Sequence, residues 1–187
     1  QDSGVSLYSR KVLIQAKCQS ILPNWTRFVK GVVDCEDLPL NISRESMQDS
    51  ALVAKVNTII TRRFIRFLEE RSKKEPEKYA KFYQEFKHFV VQGIISDPTN
   101  SSELAKLIRL ESTVGAEKEL VSLDDYVGRM PLEQKDINYL LAPNRELALS
   151  SPYIEPFIAK RTEVLLVYTM AEELMLNALK EYGKKKF

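Results

Sequence analysis

The stretch from Gln48 to Arg71 constrains the fold more than any other part of the sequence, because its apolar residues recur every three to four positions. These apolar positions are Leu52, Val56, Ile59, Ile60, Phe64, Phe67 and Leu68. Charged and polar residues fall largely between them, so the spacing predicts a helix with one apolar face. Such a face must be covered by another layer of structure, which favours a globular fold.

A second helix is predicted after the sequence KKEP, where Pro76 interrupts the first helix and suits the start of the next. Its apolar residues also follow helical spacing and extend to Gly93; they are Tyr79, Phe82, Tyr83, Phe86, Phe89 and Val90. We expect the two helices to pack together as a helical connector over residues 48–93.

The sequence before the first helix is typical of β-structure. Residues 5–15, VSLYSRKVLIQ, predict one strand with apolar residues on both faces, and residues 27–35, RFVKGVVDC, predict a second β-rich segment. Pro39 then interrupts regular pairing, so residues 38–48, LPLNISRESMQ, form a strand-to-helix loop. We expect Leu38, Leu40 and Ile42 to anchor this loop and Ser43 to cap the helix.

The second half of the chain reads as a smaller α/β unit that begins after Asp97-Pro98. Asn100 with Glu103 and Ser122 with Asp125 both resemble helix capping boxes. INYLL at 137–141 and EVLLVY at 163–168 are short apolar runs followed by helical segments, a pattern typical of a parallel sheet covered on both faces. The predicted domains are therefore 1–97, which includes the loop and the connector, and 98–187.

Composition argues against several function classes. The net charge of +2 is too small to indicate a nucleic-acid surface, and no apolar run approaches the roughly 18 residues of a membrane span. Cys18 and Cys35 are the only cysteines, which is typical of a reducing compartment. His88 is the only histidine, metal-ligand spacing is missing and no glycine-rich phosphate loop occurs, so a self-contained nucleotide enzyme or metalloenzyme is disfavoured.

Arg44 and Gln48 form the one arrangement in the sequence that suits chemistry. They lie four residues apart in the strand-to-helix loop, and a helical first turn would place the guanidinium and the amide on one face. A guanidinium and an amide on one face are suited to binding a terminal phosphate group. The ordinary alternative is a surface ion pair of Arg44 with Glu45 or Asp49, and spacing alone favours that alternative.

Several longer motifs resemble the middle segment of the ninety-kilodalton heat-shock (HtpG-type) chaperones. They are LYSRKVLI, LPNWTRFVKGVVDCEDLPLNISRE with Gln48, EKYAKFYQEF, ELAKLIRLEST, SLDDYVGRMP, SSPY and TEVLLVY. They cover nearly the whole chain in the family's order. The resemblance implies an α/β fold: a truncated α/β/α unit of the ribosomal S5 domain 2-like type, a helical connector, and a smaller three-layer α/β/α unit.

The resemblance also implies a function, the middle segment of an ATP-dependent molecular chaperone that binds and folds client proteins. In that family the arginine matching Arg44 contacts the γ-phosphate of ATP, which is held with Mg²⁺ by a separate N-terminal domain, and the glutamine matching Gln48 supports the same catalytic loop. Ser46 departs from the family pattern, in which a larger apolar residue is more common. Activity belongs to the complete ATPase, and the segment alone is expected to be inactive.

Partners follow from the same resemblance: client proteins, the chain's own N-terminal ATP domain and a C-terminal dimerisation domain, without nucleic acid or membrane. The full-length chaperone is then a homodimer and the segment a monomer. Tyr153, Phe157 and Tyr168 are candidate client or co-chaperone contacts, although most such residues belong to a core. LYSRKVLIQAK and LAPNRELALSSPY resemble the mitochondrial branch most, with the cytoplasm as the alternative location. A passive α/β interaction module without a nucleotide role remains the alternative function.

Overall fold

The computed structural model of the chain describes residues 4–40 and 50–187. They fall into two compact units, Gln1–Phe67 and Leu68–Phe187. The first unit contains β1 (Gly4–Ser9), β2 (Val12–Gln15), a 3₁₀ turn (Asn24–Thr26), β3 (Lys30–Asp34) and most of α1 (Ala51–Lys74). Both units combine helices with strands, so the predicted α/β class is confirmed.

The single strand predicted over residues 5–15 is wrong, because the chain reverses direction in the middle of it. β1 and β2 pair antiparallel as a hairpin, and the connection places Arg10 at φ 48° and Lys11 at φ 66°. The backbone N–H of Lys11 donates to the Asp34 carboxylate at 2.9 Å, which ties the turn to the end of β3. The sequence did not indicate this turn because left-handed hairpin turns usually carry Asn or Gly rather than Arg-Lys.

We expect Lys11→Gly to raise the free energy of unfolding by up to about 1 kcal/mol. The left-handed conformation costs an L-residue roughly 1–2 kcal/mol, and the greater freedom of glycine in the unfolded chain offsets part of that gain. The hydrogen bond to Asp34 survives because the backbone N–H makes it. Urea denaturation measures the change, and Lys11→Ala is the matched control that keeps the strain. Equal stability of the two variants would contradict the strain argument.

The sheet of the first unit has the order β2-β1-β3, with β1 parallel to β3. Only one face of β1 is buried, through Val5, Leu7 and Ser9, while Val12 and Leu13 of β2 are exposed. Burial on both faces of this segment is therefore wrong. The core of this unit consists of Val5, Leu7, Cys18, Ile21, Leu22, Leu38 and Val53.

Helix α1 confirms the long predicted helix, although its buried line differs from the predicted stripe. Ile59 and Phe67 are about half exposed, and the buried positions are Val53, Thr61, Ile65, Leu68 and Ser72. Two contacts, one polar and one aromatic, set the rotation of α1 about its own axis. The side-chain amide of Asn57 donates to the Ser20 carbonyl at 2.9 Å, and the Phe64 ring lies 6.5 Å from Trp25 between centroids.

The second unit contains the remaining helices and strands. They are α2 (Pro76–Ser96), α3 (Ser101–Ala105), β4 (Glu111–Ser112), α4 (Leu123–Arg129), β5 (Tyr139–Leu141), α5 (Arg145–Leu149), α6 (Glu155–Ala159), β6 (Leu165–Val167), α7 (Met170–Leu179), β7 (Glu181–Tyr182) and β8 (Lys185–Lys186). Helix α2 begins at Pro76 as predicted but continues past Gly93.

Helix α2 packs against α3 and α7, which are its main partners in place of the α1 packing that we expected. This packing places α2 in the same compact unit as the C-terminal part of the chain. The boundary between the two compact units falls within α1, between Phe67 and Leu68. The division into family subdomains at 97 and 98 stays a prediction.

The main sheet of the second unit has the order β4-β6-β5. β5 and β6 lie in the two predicted apolar runs and pair parallel, which confirms that part of the pattern. β4 was not predicted and pairs antiparallel with β6, so the sheet is mixed. The three-layer α/β/α arrangement, like the S5-like type of the first unit, stays a prediction.

Helix caps in this unit follow the sequence only in part. Ser122 and Asp125 form the predicted capping box at the start of α4. Asn100 precedes α3 but makes no side-chain cap; its backbone is αR (φ -107°, ψ 0°) rather than extended, and its amide donates to the Asp97 carboxylate at 2.8 Å. A capping box of Thr169 with Glu172 starts α7 and was not predicted. Among the described residues, no helix has the length and apolar character that crossing a bilayer requires.

Candidate functional site

The predicted site residues Arg44 and Gln48 lie outside the described residues, as do Ile42, Ser43 and Ser46. The structure instead describes the two ends of the segment that carries them. One end follows β3 and the other starts α1, so the predicted strand-to-helix connection is confirmed at both ends.

The first end is tied to the sheet by a buried hydrogen bond. The hydroxyl of Ser9 donates to the carbonyl of Leu38 at 2.6 Å, and the backbone N–H of Cys35 donates to the Tyr8 carbonyl at 2.9 Å. Leu38 is buried in the core of the first unit, which confirms one predicted anchor. Leu40 is 55% exposed and does not anchor the loop.

The second end is fixed by Ser50. Its hydroxyl accepts from the backbone N–H of Val53 at 3.4 Å, and its carbonyl accepts from the backbone N–H of Ala54 at 3.0 Å. Val53 is buried in the same core as Leu38. Leu38 and Val53, which flank residues 41–49 in the sequence, therefore belong to one apolar core.

We expect Ser9→Ala to lower the free energy of unfolding by about 1–3 kcal/mol, because the buried Leu38 carbonyl loses its donor. Ser6 offers a matched control on the same strand, since its hydroxyl accepts only a 3.5 Å exposed bond from the Lys17 backbone. Thermal unfolding of both variants measures the difference. Equal losses for Ser9→Ala and Ser6→Ala would show that the Ser9 bond does not hold this end.

The other candidate residues have ordinary environments. His88 is exposed on α2, with its ring centroid 4.0 Å from that of Phe89. Tyr153 is 78% exposed, whereas Phe157 and Tyr168 are partly buried against the core of the second unit. Cys18 and Cys35 are free thiols. Within 4–40 and 50–187, no three His, Cys, Asp or Glu side chains come together as metal ligands would.

One polar cluster of the second unit was missed by the sequence analysis. Nη1 of Arg145 donates to the Glu111 carboxylate at 3.0 Å and to the Ser112 carbonyl at 2.9 Å, and Nη2 donates to the Gly115 carbonyl at 2.8 Å. The Tyr168 hydroxyl donates to the same carboxylate at 3.0 Å, and burial together with this bond raises the pKa of Tyr168 to about 12. The residues of this cluster are remote from one another in the sequence, so no local spacing could have predicted the cluster.

The sequence model of the Hsp90 protein family matches residues 1–187 of the chain. The chain belongs to the Hsp90 family. This finding confirms the family resemblance that the motifs of both units indicate. The candidate site therefore has to be interpreted as part of a chaperone.

Curated relatives agree with the family match over nearly the whole chain. Heat shock protein 75 kDa, mitochondrial, of Bos taurus is 50% identical over 186 residues, covering 98% of this chain and 26% of the relative. Chaperone protein HtpG of Desulfitobacterium hafniense (strain Y51) is 46% identical over 185 residues, covering 99% and 30%. TNF receptor-associated protein 1 homolog, mitochondrial, of Dictyostelium discoideum is 46% identical over 188 residues, covering 99% and 26%.

The chain thus spans less than a third of the length of these Hsp90 relatives. Mitochondrial and bacterial relatives match it with similar identity. Family membership is therefore fixed by the comparisons, while the activity, the location and the partners of the whole protein are matters for proposal.

Proposed function

We propose that this chain is the middle segment of an ATP-dependent chaperone and that Arg44 contacts the γ-phosphate of ATP bound in the N-terminal domain. The observation that carries the proposal is the fixed frame around residues 41–49, whose two ends lie in one core through Leu38 and Val53. Gln48 supports the same loop.

The donor chemistry fits a phosphate. A guanidinium carries a planar fork of N–H donors that matches phosphate oxygens, and its charge is permanent. ATP bound in the other domain would supply the reacting phosphate, and its Mg²⁺ would neutralise part of the phosphate charge. This chain supplies a cation from outside the nucleotide domain. The role of Arg44 is to stabilise negative charge on the transferred group, and the role of Gln48 is to orient the loop.

Closure of one domain on another would couple hydrolysis to remodelling of a client protein. We place the parent protein as a homodimer with an N-terminal ATP domain and a C-terminal dimerisation domain, and the segment alone as an inactive monomer. Tyr153 is the one of the three aromatic candidates whose exposure suits a client contact. The mitochondrial matrix is the proposed location, with the cytoplasm as the alternative.

A titration tests this function against the alternative of a passive interaction module. The chain is added to the isolated N-terminal domain of the parent chaperone with a non-hydrolysable ATP analogue, and binding is measured by calorimetry. We expect nucleotide-dependent binding that Arg44→Ala weakens and Glu45→Gln leaves unchanged. Binding that ignores both the nucleotide and Arg44 would favour the passive module.

A further inference from the structure

Helix α1 carries positive charge of one sign over residues 51–68. This stretch contains Lys55, Arg62, Arg63 and Arg66 and no Asp or Glu. All four cationic side chains are exposed. The concentration of charge is local, because the whole chain has a net charge of only +2.

These cations share one side of α1 with an exposed apolar residue. Lys55, Ile59, Arg62 and Arg66 follow 4-3-4 spacing, which places them on one line along a helix. Arg63 lies beside this line, one turn after Ile59. Since a helix rises roughly 1.5 Å per residue, the line is about 16 Å long. Ile59 is 45% exposed between the cations. We call these five residues the basic face.

Within residues 4–40 and 50–187, no carboxylate neutralises the basic face, because its four cations form no ion pair there. Other exposed cations of the helical region do pair with a carboxylate three or four residues away. These pairs are Arg71 with Glu75, Lys73 with Glu69, Lys78 with Glu75 and Lys106 with Glu103. The basic face therefore has the charge that a negatively charged partner requires.

We propose that the basic face binds an acidic polypeptide segment that carries an apolar side chain among its carboxylates. The carboxylates pair with the cations, and the apolar side chain packs on Ile59. Arg62 and Arg66 can each hold a carboxylate through two parallel N–H donors, which gives the contact a defined geometry. An extended chain advances roughly 3.3 Å per residue, so about six residues span the face. This interaction does not depend on the phosphate contact proposed for Arg44.

The basic face suits a polypeptide better than a membrane or a nucleic acid. A helix that lies on a bilayer inserts a broad apolar face, but the apolar line of α1 is buried in the protein through Val53 and Ile65. A nucleic acid presents closely spaced phosphates, which favour a partner with a large positive charge, and the chain carries only +2. An acidic polypeptide can match both the short row of cations and Ile59.

The probe is a heptapeptide with one leucine between two runs of three glutamates, titrated into the purified 187-residue chain at about 50 mM salt and measured by NMR shifts. A second peptide has glutamine in place of every glutamate. We expect saturable binding of the first peptide and about tenfold weaker binding of the second, because the second lacks the charge. Absence of saturable binding of the first peptide overturns the proposal, as does equal binding of the two.

Two double variants test whether the charge acts locally. Arg62→Gln with Arg66→Gln removes two positive charges from the basic face, and Lys81→Gln with Lys160→Gln removes two from exposed positions of the second unit. We expect about tenfold weaker binding of the acidic peptide in the first double variant and less than about twofold in the second. Circular dichroism checks that both are folded. Equal weakening in the two would assign binding to net charge and overturn the proposal.

A third peptide, with glycine in place of the leucine, tests the contact with Ile59. We expect the wild-type chain to bind the leucine peptide about threefold more tightly than the glycine peptide, and Ile59→Ala to remove most of this difference. The same preference in folded Ile59→Ala overturns the placement of the apolar side chain.

Phosphatidylglycerol vesicles and a single-stranded RNA oligonucleotide are titrated under the same conditions. We expect neither to bind as tightly as the acidic leucine peptide. Tighter binding of vesicles or RNA, weakened by Arg62→Gln with Arg66→Gln, would assign the basic face to another class of partner and overturn the proposal.

Discussion

Replacement of Arg44 by alanine in the complete chaperone is expected to slow ATP hydrolysis about 10²–10³-fold, by analogy with the loss of a transition-state donor worth roughly 2.7–4 kcal/mol. In the proposed mechanism the Arg44 guanidinium stabilises charge that develops as the γ-phosphate is transferred, so its removal would raise the barrier. The nucleotide pocket lies in another domain in this proposal. The Kd for ATP should therefore change little, and steady-state turnover with nucleotide binding by calorimetry measures the two effects.

Two variants separate the proposed role of Arg44 from an ordinary ion pair. Arg44→Lys keeps the charge but loses the planar fork and should recover only part of the rate. Glu45→Gln removes a neighbouring carboxylate that could pair with Arg44, and should leave turnover near the wild-type value. If Arg44 only forms a surface ion pair, its removal costs about 0–1 kcal/mol of stability and leaves hydrolysis intact. Wild-type turnover in Arg44→Ala would end the proposal.

The long-range features of the fold could be predicted where one strong periodic signal decided them. Pro76 separates α1 from α2 as the sequence indicates, and the apolar runs at 137–141 and 163–168 contain the parallel pair β5 and β6. The first signal is the backbone restriction that proline imposes, and the second is the burial of several apolar residues in one run. The α/β class follows from them directly.

Errors occurred where the outcome depended on backbone conformation or on contacts with distant residues, which local spacing does not show. Asn100 has the spacing of a helix cap, yet its backbone is αR and its side-chain amide donates to the Asp97 carboxylate. Arg10 and Lys11 give no turn signal, although both adopt a left-handed conformation. Ile59 follows the apolar spacing of α1 but is half exposed, because Asn57 and Phe64 fix the rotation of the helix. Local spacing cannot rank such competing contacts.

The candidate site likewise has some features that could be predicted from the sequence and others that could not. Its strand-to-helix location and the anchor at Leu38 could be predicted, since both follow from apolar and turn residues in the sequence. The bond from Ser9 to Leu38 could not, because the two residues are remote in the chain and meet only when β1 pairs with β3. Whether Arg44 meets a phosphate depends on another domain, so its role required the family resemblance and stays a prediction.

The second large effect is expected at the centre of the sheet in the second unit. Leu165 is fully buried in β6, which lies between β4 and β5, and its backbone N–H donates to the Asn138 carbonyl at 2.9 Å. We expect Leu165→Ala to lower the free energy of unfolding of this unit by about 2.7–5 kcal/mol, through lost burial and the space that remains. Leu132→Ala is the matched control, since Leu132 is fully exposed and its loss should cost less than about 0.5 kcal/mol.

The single tryptophan lets the same experiment test how far the two units are coupled. Trp25 is buried in the first unit against Phe64, so its fluorescence reports that unit, whereas far-UV circular dichroism reports both. Because each unit has its own core, Leu165→Ala should shift the dichroism transition in urea to lower concentration and the fluorescence transition much less. Equal shifts of both signals would mean that α1, which runs through the border at Phe67 and Leu68, joins them into one cooperative unit. No shift in either signal would contradict the central place of β6.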